Sequence, residues 1–142
     1  MTKIDKDAVV CAYEEVRADN SETTWFTLKF NGDRIELEAT GADYDDFLSQ
    51  FTHDERKFGY VRIVTGDEMS KRFKFVFITW GGQDVSAMQK AKLSVDKSVV
   101  KNVIKSFAVE ILADDHSDIS LEAVKDKLNK AGGANYGTGV AS

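Results

Sequence analysis

The chain has 142 residues, of which 42% are hydrophobic and 30% charged, and it carries a formal charge of −5. This composition is typical of one soluble globular domain and not of a disordered or membrane chain. No apolar run approaches the ~20 residues that a membrane-spanning helix needs, so we do not expect an integral membrane protein. The single cysteine, Cys11, cannot form an intramolecular disulfide, which agrees with a reducing, cytoplasmic location.

The hydrophobic pattern predicts the order helix, two strands, helix, two strands, helix, strand, helix. The first helix begins at Asp5 or Asp7 and reaches about Ala18, and the turn at Asn31-Gly32 joins the first two strands as a hairpin. The predicted bounds, in chain order, are about 5–18, 23–30, 34–39, 42–51, 58–64, 73–80, 84–107, 107–112 and 118–131.

The run Phe75-Val76-Phe77-Ile78 is apolar on both faces, which indicates a central strand covered by helices on both sides. Helices interspersed with hairpins predict an α+β fold, with a central mixed β-sheet sandwiched between α-helices on both faces. We expect one domain over residues 1–131, ended by a glycine stop at Gly132-Gly133, and a flexible Gly-rich tail over 132–142.

Two predictions concern which side chains are buried. Cys11 is expected to be an inert, buried thiol, because its helix also supplies core residues. In the long helix that begins at Asp84 or Ser86, an apolar line at helical spacing is expected to face the core. Its members are Met88, Ala91, Val95, Val99, Val103 and Ile104.

The residue types needed for catalysis or metal binding do not occur in a recognisable pattern. His53 and His116 stand 63 positions apart, and neither has further ligands at the spacing of a zinc site. No nucleophile elbow, H-E-x-x-H helix or phosphate-binding glycine loop is present. We therefore expect no enzyme, no catalytic residue, no metal and no cofactor.

The charge is unevenly distributed along the chain. Residues 71–105 hold eight basic and two acidic residues, a local charge of +6 that leaves −11 on the rest. Such separation favours a face that meets an acidic partner. A lysine row can also merely solvate a helix, but between residues 86 and 109 the only acidic residue is Asp96, and a solvated face normally mixes signs.

The basic residues fall into two groups. Arg72 and Lys74 lie on one side of the predicted strand and Phe73 and Phe75 on the other, since side chains alternate across a strand. The long helix carries a second row, formed by Lys90, Lys97, Lys101 and Lys105. A pI near 5.0 and the lack of aromatic-basic interleaving of the RNP type, which forms a stacking platform for bases, argue against nucleic acid. An acidic protein filament and a phosphoinositide membrane both remain open as partners.

Three stretches of the chain resemble the coactosin-like proteins of the ADF/cofilin-homology (ADF-H) family. They are the opening TKIDKDAVVCAYEEVRADNSETTWFTLKFNGDRIEL, the central TGDEMSKRFKFVFITW and the ending NKAGGANY. The likeness covers nearly the whole chain. It implies a mixed sheet between two helical layers and a non-enzymatic protein that binds filamentous actin, whose surface is strongly acidic.

The resemblance also implies two actin-binding surfaces, one on the long helix and one on the strands and last helix. Of the residues carried over, Lys74 matches the family pattern best. The implied actin-binding residues are Lys71, Arg72, Lys74, Met88, Lys90, Lys92, Lys125, Lys127 and Lys130.

The chain departs from the severing members of the family, which carry a regulatory serine in an N-terminal extension and a proline at the start of the long helix. It has no serine before Ser21 and no proline. We therefore expect a monomer that binds the sides of actin filaments in the cytoskeleton, without severing and with weak or no binding to actin monomers. The alternative is an adaptor for an enzyme such as 5-lipoxygenase, with Trp25 or the last helix as its dock, and phosphoinositide binding is a weaker possibility.

Overall fold

The computed structural model describes residues 2–66, Met69 and residues 71–136. Within these residues, strands and helices alternate much as the hydrophobic pattern predicts. The elements are β1 Lys3–Ile4, α1 Lys6–Arg17, β2 Trp25–Asn31, β3 Arg34–Gly41, α2 Tyr44–Ser49, β4 Arg56–Thr65, β5 Arg72–Gly81, α3 Ala87–Lys101, β6 Val109–Ala113, a 3-10 turn His116–Asp118 and α4 Leu121–Tyr136.

The described strands form one mixed sheet in the order β1-β3-β2-β4-β5-β6. The two outer strands run parallel to their neighbours, β1 to β3 and β6 to β5, and the inner pairs are antiparallel. The predicted α+β fold with a central mixed sheet is confirmed. No helix of the described residues has the length and apolar character to cross a membrane.

The sheet has a separate apolar core on each face. On one face, α1 and α3 pack against the sheet; this core includes Val9, Val16, Phe77, Leu93 and Val100. On the opposite face, residues of α2 and α4 pack against side chains such as Trp25, Phe51, Val61, Val76 and Trp80. The central strand β5 contributes to both cores, as its run of four apolar residues predicts.

The turn between β2 and β3 needs its glycine. Gly32 has a φ of +64°, a conformation that residues with a Cβ adopt only at a cost, and Asn31 and Arg34 pair on either side of it. The turn holds Asp33 next to the start of the chain, where the backbone N–H of Lys3 donates to the Asp33 carbonyl at 2.8 Å.

The structure differs from the sequence-based prediction at four places. The strand β1 was not predicted, because two residues are too few to show the alternation of a strand. The helix α3 ends at Lys101, before its predicted end at residue 107. The predicted glycine stop at Gly132-Gly133 does not end α4, which continues to Tyr136. A helical glycine costs only about 1 kcal/mol, and the alanines on both sides favour the helix. The rest of the predicted tail, 137–142, lies outside the described residues.

Cys11 is the fourth correction, because it is exposed. The buried positions of α1 are Val9, Ala12 and Val16, which recur three and four residues apart. Cys11 directly precedes Ala12 and therefore lies outside this inward stripe. A helix that supplies core residues does not bury every apolar residue it carries.

Candidate functional site

The first group of predicted binding residues lies at the end of the β4–β5 hairpin where the turn joins the two strands. Arg72 pairs with Thr65 and Lys74 pairs with Ile63. Because side chains alternate, Arg72 and Lys74 share the face of Val76, which belongs to the core beneath α4. The prediction that Arg72 and Lys74 lie on the face opposite to Phe73 and Phe75 is confirmed. We call Lys71, Arg72 and Lys74 the hairpin surface.

The opposite face of the same hairpin is apolar and aromatic. Val64 pairs with Phe73, and both are partly exposed. The guanidinium of Arg62 lies 4.8 Å from the centre of the Phe73 ring and donates to the carbonyls of Ala18 and Ser21. Arg62 is thus committed to holding the hairpin against the end of α1, whereas the hairpin surface makes no ion pair with any described residue.

The three predicted residues on α4 are exposed and lie on the same side of the sheet as the hairpin surface. The helix is anchored by Val124 and Leu128, which are part of the core that contains Val76. Lys130 pairs with Asp126 one turn earlier, at 3.0 Å. The other two predicted residues, Lys125 and Lys127, make no ion pair with the described residues.

The long helix α3 presents a different face to the sheet than its apolar line predicts. Its buried residues are Leu93, Asp96 and Val100, whereas Met88 is 81% exposed and Val95 is 71% exposed. The prediction that the line from Met88 to Val99 faces the core is therefore wrong, although Val103 and Ile104 beyond the helix are buried. The inward residues occur at i, i+3 and i+7, but the acidic Asp96 among them conceals that pattern in the sequence.

The outward side of α3 is consequently an apolar stripe, bordered by lysines, that the described residues leave exposed. Met88, Ala91 and Val95 lie along it, and Lys92 is exposed beside them. We call these four residues the α3 stripe. Lys90 is half-buried and lies near Gly81, which its side chain approaches closely. Ala91 and Val95 were missed as candidate binding residues because their apolar character predicts burial.

The lysine row of α3 is not a uniform basic surface. Lys97 and Lys101 lie 3.1 and 2.8 Å from the two carboxylate oxygens of Glu110, which comes from β6. Burial by itself would raise the pKa of Glu110, but hydrogen bonds from Lys101 and Lys97 outweigh burial and lower that pKa. The acidic partner that the helix itself lacks is thus supplied by a neighbouring strand, which leaves Lys90, Lys92 and Lys105 without an ion pair among the described residues.

The structure keeps the two predicted binding surfaces apart. The α3 stripe lies on the helix that packs with α1 on one face of the sheet, and the hairpin surface and α4 lysines lie on the other side. Arg72, Lys74, Lys125, Lys127 and Lys130 therefore share one side, and Met88, Lys90 and Lys92 share the opposite side. Lys71 lies in the turn directly before Arg72.

Three side chains considered as a dock or as metal ligands, those of Trp25, His53 and His116, make structural contacts. Trp25, a predicted dock, is 2% exposed, and its Nε1–H donates to the Asp43 carbonyl at 2.9 Å. His53 and His116 meet across 63 positions of sequence, with ring centres 5.9 Å apart, and His116 also stacks on Trp80. Among the described residues, no group of three or more His, Cys, Asp or Glu side chains is arranged to hold a metal ion.

The comparisons with known proteins agree with this architecture. The family model described as "Cofilin/tropomyosin-type actin-binding protein" matches residues 1–129. The coactosin-like protein of Bos taurus is 48% identical over 135 residues, which cover 95% of both chains. A crystal structure of human coactosin-like protein matches with a TM-score of 0.89 and 45% identity, over 92% of this chain and 99% of the human one.

A solution structure of mouse coactosin, which is described as an actin filament binding protein, matches with a TM-score of 0.79 and 46% identity. It covers 99% of each chain. The family match spans most of the sequence, and the structural matches cover the same sheet and helices. This chain is a member of the cofilin/tropomyosin-type actin-binding protein family.

Proposed function

We propose that this protein is a non-enzymatic binding module that attaches to the sides of actin filaments in the cytoplasm. The observation that carries the proposal is the pair of exposed surfaces on opposite sides of the sheet, one cationic and one apolar with a basic border. A module with two such surfaces can contact two neighbouring subunits of a polymer at once. Mouse coactosin, which matches this chain over nearly its whole length, is described as an actin filament binding protein.

The hairpin surface suits an acidic partner. Lys71 and Arg72 are exposed and Lys74 is half-buried, so Lys74 is the most firmly positioned of the three. Their charges are not neutralised by ion pairs with described residues, which leaves them available to carboxylates on a filament. Lys125 and Lys127 extend the positive charge along α4 on the same side.

The α3 stripe suits a partner groove. An amphipathic helix that lays an apolar face into a hydrophobic groove is a recurring mode of recognition, with anchors three, four and seven residues apart. Met88, Ala91 and Val95 have this spacing, and Lys92 borders them. Met88 and Val95 are exposed on the same side of one helix, and a contiguous exposed apolar patch is typical of an interaction site.

Two further properties complete the proposal. The protein binds filaments without severing them and has weak or no affinity for actin monomers, because it lacks the proline that marks the start of the long helix in the severing relatives. The burial of Trp25 removes one of the two docks considered for an adaptor role. Partnerships with 5-lipoxygenase or with phosphoinositides stay predictions.

Co-sedimentation with actin filaments over a range of salt concentrations tests the proposal. We expect the protein to pellet with filaments at low salt and to be released as salt rises, because exposed ionic contacts are screened over about 10 Å at 0.1 M. Filament lengths observed by fluorescence microscopy should not shorten on binding. Failure to pellet at low salt would contradict the proposed function, and shortening would contradict its non-severing part.

A further inference from the structure

A depression of about 520 Å³ lies beside the C-terminal half of the α3 stripe. It is formed by α3 on one side and by Thr2 and the Asp33 turn on the other. The parallel pairing of β1 with β3, in which Lys3 lies opposite Arg34, brings these segments together, and α3 packs against β1. Val95 lines the depression and also belongs to the α3 stripe, so the two surfaces are continuous.

The depression contains a buried carboxylate oxygen that has no hydrogen-bond partner in the described part of the chain. Asp96 is 5% exposed on the inward side of α3, and its Oδ2 accepts no hydrogen bond. Lys92 lies one turn earlier and lines the same depression, yet it forms no ion pair with Asp96. Burying a charged group without compensation is costly, and a native fold that keeps one needs a reason.

The chemistry of the lining favours an organic cation. Asp33 supplies a second carboxylate at the mouth, and Thr2 and Ser98 supply hydroxyl oxygens. Calcium takes six to eight oxygen ligands, typically from several carboxylates, and the described residues contain no group of three acidic or imidazole ligands. The ammonium of a lysine or the guanidinium of an arginine needs fewer partners, and its aliphatic stem can lie along Val95 and Val99.

We propose that a lysine or arginine side chain of the actin subunit that docks on the α3 stripe enters this depression and pairs with Asp33 and Asp96. The inference rests on the proposed function and adds a contact of opposite sign to it. The α3 side of the protein then has Met88 and Lys90 at the N-terminal end of the helix and the cation-accepting depression towards the C-terminal end of the stripe. That polarity permits one orientation of the helix on its partner and disfavours the reversed one.

The proposal is tested by whether removing a carboxylate weakens or strengthens filament binding. This protein is acidic overall, and an acidic surface is expected of the filament, so removing a remote carboxylate should leave binding unchanged or strengthen it slightly. Removing a carboxylate that accepts a partner's cation should weaken binding. Asp33→Asn is the informative variant, because Asp33 is exposed in a turn and its loss should not disturb the core.

The experiment compares filament co-sedimentation of the wild type, Asp33→Asn, Asp96→Asn and the matched control Glu14→Gln, an exposed carboxylate on α1. We expect about threefold weaker binding for Asp33→Asn and about tenfold weaker binding for Asp96→Asn, as for the loss of charge-assisted hydrogen bonds. Glu14→Gln should bind like the wild type. Wild-type binding by both asparagine variants, or tighter binding, would overturn the inference while leaving the proposed function intact. If the wild type does not bind filaments, both the inference and the proposed function are contradicted.

Thermal unfolding of Asp96→Asn separates this role from a structural one. If Asp96 is paired only when a partner's cation is bound, free Asp96→Asn should unfold at the same or a higher temperature than the free wild type. A lower midpoint would mean that Asp96 is held by a group of its own chain, such as Lys92, and would overturn the proposal. The same measurement is repeated with calcium or magnesium. If either ion raises the unfolding midpoint of the wild type but not that of Asp96→Asn, the site binds a metal ion and the proposal is overturned.

Discussion

The hairpin surface and the α3 stripe come from one continuous stretch of sequence, yet they end on opposite sides of the sheet and present different chemistry. The first is a cluster of cations at the turn end of two strands, and these cations form no ion pair with the described residues. The second is apolar, and half of the lysine row near it is already neutralised by Glu110. Binding through the hairpin surface should therefore depend strongly on salt, and binding through the α3 stripe should depend mainly on buried apolar area.

The difference between the two surfaces requires that the Leu93 face of α3 is buried and the Val95 face exposed. Of the variants considered, Leu93→Ala should therefore change the free energy of unfolding most. Leu93 is 1% exposed, so its truncation should lower the free energy of unfolding by roughly 2–5 kcal/mol. The matched variant Val95→Ala should cost about 0.5 kcal/mol or less, because that side chain is largely in solvent. Chemical denaturation measures both. Equal losses would mean that the inward face is wrongly assigned.

A charge placed on the α3 stripe should nearly abolish filament binding without unfolding the protein. We expect Val95→Asp to weaken co-sedimentation by roughly a hundredfold, because the new carboxylate would be desolvated against an apolar groove. The control Cys11→Asp adds the same charge to an exposed position of α1 and should bind like the wild type. Normal binding by Val95→Asp would show that α3 does not contact the filament.

Removing one cation from the hairpin surface should have a smaller effect that changes with salt. We expect Lys74→Ala to bind filaments about tenfold more weakly at low salt, and the difference from the wild type should shrink as salt rises. Lys29→Ala removes the same charge from an exposed position of β2 and should change little. If both variants bind alike, Lys74 is not part of the interface.

The smallest expected effect concerns the ion pairs that neutralise part of the lysine row. Glu110 has a lowered pKa in the folded protein, so its stabilising contribution is present above the ordinary carboxylate pKa of about 4.3. The contribution is lost as the pH falls through the lower, folded value. Glu110→Gln should therefore cost about 1 kcal/mol or less at pH 7, and nothing at a pH where the wild-type carboxylate is protonated. Denaturation curves at the two pH values measure this difference, and an equal cost at both would contradict the role of the ion pairs.

The strands and their faces could be predicted because their signals are local. In β5, alternation separates Arg72 and Lys74 from Phe73 and Phe75, and the apolar run that follows identifies a strand buried on both sides. In α3 the same kind of reasoning failed, since two apolar lines run along one helix. The line that contains Leu93 and Val100 also contains Asp96, so the exposed line was the more hydrophobic of the two.

By itself, the sequence determined the α+β class, the order of the main elements, the hairpin surface and the family resemblance, because each depends on short-range periodicity or on residue identity. Only the tertiary structure decided which side of α3 is free, that Glu110 reaches Lys97 and Lys101, and that Asp33 and Asp96 meet at one depression. These relations join residues from different elements. Their distances depend on how the helices and strands pack, and no local pattern encodes that packing.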